Sequence, residues 1–281
     1  TVTIGIPAFN EERNIQSLLK TIYMQDQSTY KLVEVFIISD GSTDMTEKII
    51  ENNKNKLLKF FKLKKRKGQN NAQNLILRRA RGEILVLLEA DTLLSSKRYI
   101  QKLIAPILVN KATKTFGASK PLNGFTFLQK VLFKTESAKL SAFNDILEGD
   151  NLYNSHSGKA LKNFRYSKFH WPVNVPEDAY FYLYAKHHDE LIKYTPQATV
   201  LYHLPKSLSV YYTELNKFNF GKRVLNSHFP LSLLNREYRI PFLPLIKYGI
   251  ILTKNPITTT AYILIKFQYL LSNTVRKFRI I

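Results

Sequence analysis

The sequence predicts an α/β protein: a mostly parallel central sheet flanked by helices, followed by amphipathic helices towards the C-terminal end. Three observations carry this expectation. Four short apolar runs recur in the first 92 residues, helical patterns fill the gaps between them, and the rhythm breaks beyond residue 115. Strand and helix in alternation need crossover connections, and these lay helices over both faces of a parallel sheet.

The four runs are TVTIGI, VEVFIIS, LLKFFKL and EILVLL, the first two the richest in β-branched residues. Such residues pack well on a pleated surface. Between the first two runs, Ile15, Leu18, Leu19 and Ile22 fall at i, i+3, i+4 and i+7, one face of a helix. Asp44 with Glu47 three residues on is a capping-box-like start for a helix through Ile49 and Ile50. Ala72, Leu75, Ile76 and Ala80 form a third stripe, with Gly82 as its expected stop. Farther on, residues 124–147 read as a helix, 149–176 as irregular chain with two prolines, 179–186 as a short helix and about 207–225 as another. The tail contains IPFLPLIKYGIILT and PITTTAYILIKFQYLL, interrupted by Lys247, Lys254 and Lys266. Neither reaches the roughly 20 uninterrupted apolar residues of a spanning helix. Interfacial or docking helices are expected instead.

Composition narrows the function. At 281 residues the chain can bury a substantial core. It has no cysteine, which excludes a disulfide framework and thiolate metal sites and fits a reducing interior. A strand-like run from Val2 reads against a secretory leader at the front. Lys and Arg number 42 against 21 Asp and Glu, a net charge of +21. That balance points to an anionic partner: nucleic acid, anionic lipid or a phosphorylated substrate. Residues 54–67 hold eight basic residues and no acid, and from residue 200 onward there are 12 basic and two acidic residues. The plainer alternative is a solvated, generally basic surface. Neither G-x-G-x-x-G nor G-x-x-x-x-G-K-[ST] occurs, which argues against a dinucleotide dehydrogenase and a P-loop NTPase.

In an open α/β sheet ligands bind at the C-terminal ends of the strands. Four loops should converge there: 7–12 (PAFNEE), 39–44 (SDGSTD), 64–71 (KKRKGQNN) and 89–92 (EADT). Three bring carboxylates and one brings cations. Such a mixture suits a phosphate ligand whose charge is shared between a metal ion and Lys or Arg.

IPAFNEERNI, SDGSTD, KGQNNAQNLILRRARGEILVLLEADT and PEDAYFYLYA, in this order over residues 4–186, resemble the successive signatures of family 2 glycosyltransferases. The resemblance implies a Rossmann-like GT-A fold and a metal-dependent, inverting enzyme. It would move a sugar from a nucleotide-diphospho-sugar, UDP foremost, to a hydroxyl of a glycan or lipid-linked acceptor. It divides the chain into a nucleotide-sugar-binding half (1–115), an acceptor-binding half (116–205) and a helical region, 206–281, suited to membrane contact. Asp91 would be the ligand of Mn²⁺ or Mg²⁺. Glu89 stands where the family carries Asp, and its longer arm leaves ribose contact, a water-mediated contact or none as alternatives. Pro7, Ala8, Asn10, Glu11 and Asp40 would cradle the nucleotide. Gly68, with Ala72 and Asn74, resembles a small-residue segment that lets the backbone approach it, and Lys64 to Lys67 would steer the diphosphate.

The second acid of the family's "ED" pair is the base, here Asp178, with Glu177 orienting the acceptor. For this pair, and for Asp44, the plainer alternative is an acid favoured in any first helical turn. His203 resembles a further metal or phosphate ligand of some members, against the alternative of a packed histidine. His156, beside Ser157 and Gly158, occupies the family's acceptor loop, and Trp171 would stack on a sugar face. The family's Q-x-x-R-W element has no match in ELNKFNFGKR, which speaks against a processive synthase, though Lys217, Lys222 and Arg223 there could still meet phosphates. The setting implied is cytoplasmic, peripheral at the cytoplasmic face of the membrane, with no nucleic acid as partner. Three rivals stand beside this reading, one of them a pseudoenzyme that keeps the fold and only scaffolds partners. A sugar-phosphate nucleotidyltransferase would want a Gly-rich, Arg/Lys-containing signature after the first strand. A nucleic-acid binder would account for the +21 charge but leaves the strand-end acids unexplained.

Overall fold

The computed structural model describes residues 1–144, 149–155, 157–162, 168–239 and 242–278. These form two compact units. The first comprises Thr1–Lys120, Gly149–Tyr202 and Gly221–Glu237, and the second Pro121–Glu148, His203–Phe220 and Tyr238–Ile281.

The chain begins β1 (Val2–Ala8), α1 (Ile15–Tyr23), β2 (Leu32–Ser39), α2 (Thr46–Glu51), β3 (Leu58–Lys62), α3 (Gln69–Arg79) and β4 (Ile84–Leu87). It continues through β5 (Thr92–Leu94), α4 (Tyr99–Leu108), β6 (Lys114–Pro121), α5 (Phe127–Asn144), β7 (Ser157–Lys162), α6 (Glu177–His187) and β8 (Ile192–Tyr202). Four helices follow: α7 (Leu208–Leu225), α8 (Leu231–Glu237), α9 (Phe242–Thr253) and α10 (Pro256–Phe278). The strands make one sheet in the order β3-β2-β1-β4-β7-β6-β8-β5. The first four in sequence run parallel, as the alternation predicts. β7 then inserts antiparallel between β4 and β6, and β5 pairs antiparallel with β8.

β1 is buried at all seven positions because it is flanked by strands on both edges and covered on both faces, which is why it reads as a continuous apolar run. The stripe Ile15, Leu18, Leu19 and Ile22 is buried against this core. Two expected helix ends differ. No capping box forms at α2: Asp44 accepts from the Thr46 amide (3.0 Å) in a turn before the helix. Glu47 instead accepts from the Ser39 hydroxyl (2.8 Å) and pairs with Lys62 (3.2 Å). α3 stops at Arg79, where Ala80 turns extended, rather than at Gly82. The Gly82 amide donates to the Thr3 hydroxyl (2.8 Å), which donates to buried Glu34 (2.8 Å). Over 149–176 the irregular reading is corrected by β7. Its sequence SGKALK lacks apolar alternation, since Lys159 lies where an apolar residue would be expected.

In the second unit α5 packs against α9 and α10. α9 leaves Phe242, Leu243, Ile246 and Ile250 exposed, and α10 leaves Ile257, Leu264, Phe267 and Leu271 exposed. Both sets recur at three- to four-residue and seven-residue spacing, so each helix has an apolar stripe turned outward. Among the described residues no helix is long and apolar enough to cross a membrane.

A Cβ at Gly5 would lie 2.4 Å from Ile76 Cγ2, so this glycine sets how closely α3 approaches β1. Gly5→Ala should therefore lower stability by about 1–3 kcal/mol through overpacking. Combined with Ile76→Ala, the loss in denaturant unfolding should be smaller than the sum of the two single losses. Simple additivity would contradict the steric account.

Candidate active site

The apolar face of β4 ends at buried Leu88, and Glu89 is the first acid beyond it. The chain turns there, with the Thr92 amide (3.3 Å) and hydroxyl (2.8 Å) donating to the Glu89 carbonyl. The facing acids come from the start of α6. Pro176, at φ −66° and ψ 113°, holds the residue before the helix extended, so Glu177 and Asp178 form the first turn. Polar side chains of α3 pin the approach to this turn. Asn70 donates to the carbonyls of Pro172 (2.8 Å) and Val175 (2.9 Å), and Gln69 reaches Glu177 Oε1 at 3.3 Å. The Trp171 indole N–H donates to the Glu177 carbonyl at 3.0 Å. As a result, carboxylate oxygens of Glu89, Glu177 and Asp178 lie within 4.8 Å of one another, although 88 residues separate the first from the second.

A lysine completes the cluster. β7 places Lys159 opposite Leu87 of β4, with its side chain 3 % exposed. Its ammonium lies 3.3 Å from Glu177 Oε1 and forms an ion pair with Asp178. Burial works against its charge, but Asp178, Glu177 and Glu89 outweigh burial and hold it well above the ordinary lysine value. Burial pushes Asp178 up to about 8, with Glu177 adding and Lys159 opposing. Glu89 is raised well above the usual carboxylate range by burial first, then by Asp178 and Glu177. Three buried polar atoms here, the Tyr99 hydroxyl, Glu177 Oε2 and Asp178 Oδ1, have no hydrogen-bond partner, although Asp178 Oδ1 is ion-paired with Lys159. The clustered oxygens are hard donors of the type that suits Mg²⁺ or Mn²⁺, with Lys159 standing against those of Glu177 and Asp178.

The loops after β1, β2 and β3 are tied into one surface. Asn10, at φ 57°, accepts from the Thr43 amide (2.8 Å), and its own amide donates to Ser42 Oγ (3.1 Å). Both Asp40 oxygens accept backbone amides, from Lys67 and Gly68, at 2.7 Å each. Gly68 sits at φ 94° with open space where a Cβ would be, a conformation that glycine adopts without penalty. The exposed Arg66 guanidinium stacks on Phe9 at 3.9 Å. Glu11, bonded to Asn14 (2.8 Å), is raised to about 7 by burial first, Asn14 opposing and Asp91 and Asp44 adding. Asp91 is exposed, close enough to raise both Glu11 and Glu89, and is not among the three clustered acids.

Pro7 and Ala8 end β1 at this same edge, with buried side chains. Other expected site residues serve the fold or lie apart from the cluster. The Asn74 amide exchanges two hydrogen bonds with the Trp171 backbone (2.7 and 2.9 Å), so it holds that segment rather than opening space for a ligand. Trp171 is 1 % exposed, stacked on Phe181 and edge-on to Phe169, and has no face for a sugar. The stacking expectation is corrected accordingly. His203 is an exposed residue of the second unit and is not in the carboxylate cluster. His156 lies outside the described residues. Lys159 and Tyr99 were not visible as site residues in the sequence. Their place depends on β7 lying beside β4, and no local pattern encodes that pairing.

Comparison with known proteins follows the same lines. The family model described as Glycosyl transferase family 2 matches residues 3–162. An uncharacterized glycosyltransferase of Haemophilus influenzae is 27 % identical over 175 residues, 53 % of this chain and 68 % of that protein. The poly(ribitol-phosphate) beta-N-acetylglucosaminyltransferase TarS of Staphylococcus aureus strain Mu50 is 29 % identical over 131 residues, 44 % of this chain. That match spans only 23 % of the length of TarS. A crystal structure of S. aureus TarS 1-349 in complex with UDP-GlcNAc aligns with a TM-score of 0.58 at 20 % identity, covering 90 % of this chain and 79 % of that one. The mannosyltransferase PcManGT from Pyrobaculum calidifontis, in complex with GDP-Man and Mn²⁺, aligns at 0.61 and 19 % identity, covering 98 % and 75 %. At these identities the structural likeness is one of fold, and it is the expected GT-A arrangement of helices around a central sheet.

Glu11 generates a pH prediction of definite sign. Its folded value, about 7, lies above the ordinary 4.5, so folding favours the protonated acid. Its contribution to stability is intact below the unfolded value and is lost as pH rises through 7. Glu11→Gln should raise the melting temperature at pH 8 and leave it nearly unchanged at pH 4. Equal shifts in calorimetry at both pH values would refute this.

Proposed function

The chain belongs to glycosyl transferase family 2, and we propose that it transfers a sugar, with inversion, from a nucleotide-diphospho-sugar to a hydroxyl of a glycan or lipid-linked acceptor. The observation that carries this reading is the meeting of Glu89, from the end of β4, with Glu177 and Asp178, from the start of α6. UDP is the first donor to test, because TarS with UDP-GlcNAc is similar to this chain in both sequence and fold.

In this reading Asp178, as carboxylate, takes the proton of the acceptor hydroxyl. The oxygen so freed bonds to the anomeric carbon from the side opposite the diphosphate. The anomeric C–O bond breaks, and the nucleoside diphosphate leaves with the electron pair. A single displacement of this kind inverts the anomeric centre. Burial holds Asp178 up to about 8, near the working pH range, where a general base is most effective. Glu177 orients the acceptor. The joined loops carrying Asn10, Glu11, Asp40 and Gly68 cradle the nucleotide, and the exposed cations from Lys64 to Lys67 steer its diphosphate. Asp91, with Glu89, would hold Mn²⁺ or Mg²⁺, which when bound takes up the charge growing on the diphosphate.

The acceptor's setting follows from the tail. Residues 238–281 contain seven basic residues and no acid, and α9 and α10 turn apolar stripes outward. Cationic, apolar-striped helices too short or too polar to span suit the surface of an anionic membrane. Association through the same stripes of two copies would bring like charges together. We place the protein peripherally at the cytoplasmic face, beside a lipid-linked acceptor.

Two predictions test these roles. UDP-, GDP- and TDP-sugars should be screened for thermal stabilisation in the presence of Mn²⁺. With the donor so found, Asp178→Asn should keep the stabilisation and lose transfer about 10²- to 10⁴-fold. Asp91→Ala should lose the Mn²⁺-dependent part of donor binding. Transfer by Asp178→Asn at the wild-type rate would remove the base assignment. Separately, the protein should co-sediment with phosphatidylglycerol vesicles and not with phosphatidylcholine alone. Ile250→Glu with Phe267→Glu should weaken that partitioning about tenfold or more, the scale of losing two buried apolar side chains. Equal binding to both vesicle types would exclude the anionic surface.

A further inference from the structure

Lys159 takes no part in the reaction above, yet it is a buried cation at its centre. Its backbone is fixed on both sides, paired with Leu87 of β4 and Phe116 of β6. An ammonium taken from water is costly unless well paired, and this one contacts two of the three clustered acids, Glu177 and Asp178. It acts on the third, Glu89, only through the field. Beside it lie the unpartnered Tyr99 hydroxyl and Glu177 Oε2.

Three carboxylate oxygens this close could take a divalent cation as a single set. Were they to do so, Asp178 would lend the metal the lone pair that a base needs for the proton. An ammonium already against Glu177 and Asp178 repels a second cation from those same oxygens. Glu89 differs, for Lys159 pairs with Glu177 and Asp178 and not with it, while exposed Asp91 two residues on also acts on it. The charges therefore divide the site in two.

We infer that Lys159 is a positioning residue that keeps Glu177 and Asp178 out of metal coordination, confining a divalent cation to the Glu89–Asp91 side and leaving Asp178 to the acceptor hydroxyl. The catalytic consequence rests on the glycosyl-transfer reading, whereas the division of charge does not.

The test counts ions. Mn²⁺ is titrated into the protein and followed by electron paramagnetic resonance, with UDP or GDP present. The wild type should bind one ion, Asp178→Asn should bind it within about threefold of the wild-type Kd, and Asp91→Asn should lose it. Lys159→Met frees the three oxygens and should bind a second ion. Its kcat should fall about 100-fold with donor KM changed less than about threefold, whereas Lys159→Arg should keep one ion and recover part of kcat. A single ion in Lys159→Met overturns the inference, as does a wild type that binds none. Should Lys159→Met not fold, the comparison of Asp178→Asn with Asp91→Asn decides: equal weakening makes Asp178 a ligand and ends the proposal. A wild type that counts ions as expected but transfers no sugar from any donor would instead sink the catalytic reading alone.

Discussion

Gathering Glu89, Glu177 and Asp178 at one sheet edge takes three carboxylates partly out of water, and each would repel the others if all were charged. The ion pairs with Lys159 are what make the arrangement tenable. Desolvation favours neutral groups, and a single ammonium cannot balance three negative charges, so Asp178 and Glu89 both hold protons more tightly than free carboxylates do. On the proposed reading, Asp178 is the one of them that takes the acceptor's proton. β7 supplies the lysine from between β4 and β6, so the antiparallel insertion in the sheet is what brings the cation to these acids.

The rest of the first unit works to hold that edge in place. α3 is only weakly amphipathic because its polar residues are turned to structural use. Asn70 and Asn74 bind the backbone from Trp171 to Val175, and Gln69 touches Glu177 itself. Trp171 and Phe181 fill the space beneath. On the other side, Asp40 clamps the amides of Lys67 and Gly68 and so keeps a cationic loop folded while its side chains stay in solvent. Asp40 and Asn74, which a motif reading assigns to ligand contact, thus both fix backbone at this edge.

The second unit follows a different logic. Its helices bury one side against α5 and turn a regular apolar stripe outward in a segment free of acids. The proposed contact with an anionic membrane rests on this exposed stripe together with the basic residues of the same segment.

How much was legible beforehand depends on the range of the interaction involved. The parallel half of the sheet was readable because β1, β2 and β4 are buried on both faces and apolar but for Thr3, Glu34 and Ser39, and because α1 repeats its buried residues at helical spacing. The motifs also ordered the loops correctly along the sheet edge, since consecutive parallel strands must end on one side. By itself, then, the sequence determined the fold class and the sheet edge at which the loops with these acids end. Tertiary structure alone decided which acids meet, that Trp171 is core rather than binding surface, and that Lys159 stands among the carboxylates. The physical reason is that each of these depends on pairing across the chain: SGKALK carries no strand pattern until β4 and β6 bracket it, and a lysine's charge acquires its meaning only from the groups that burial forces it to face.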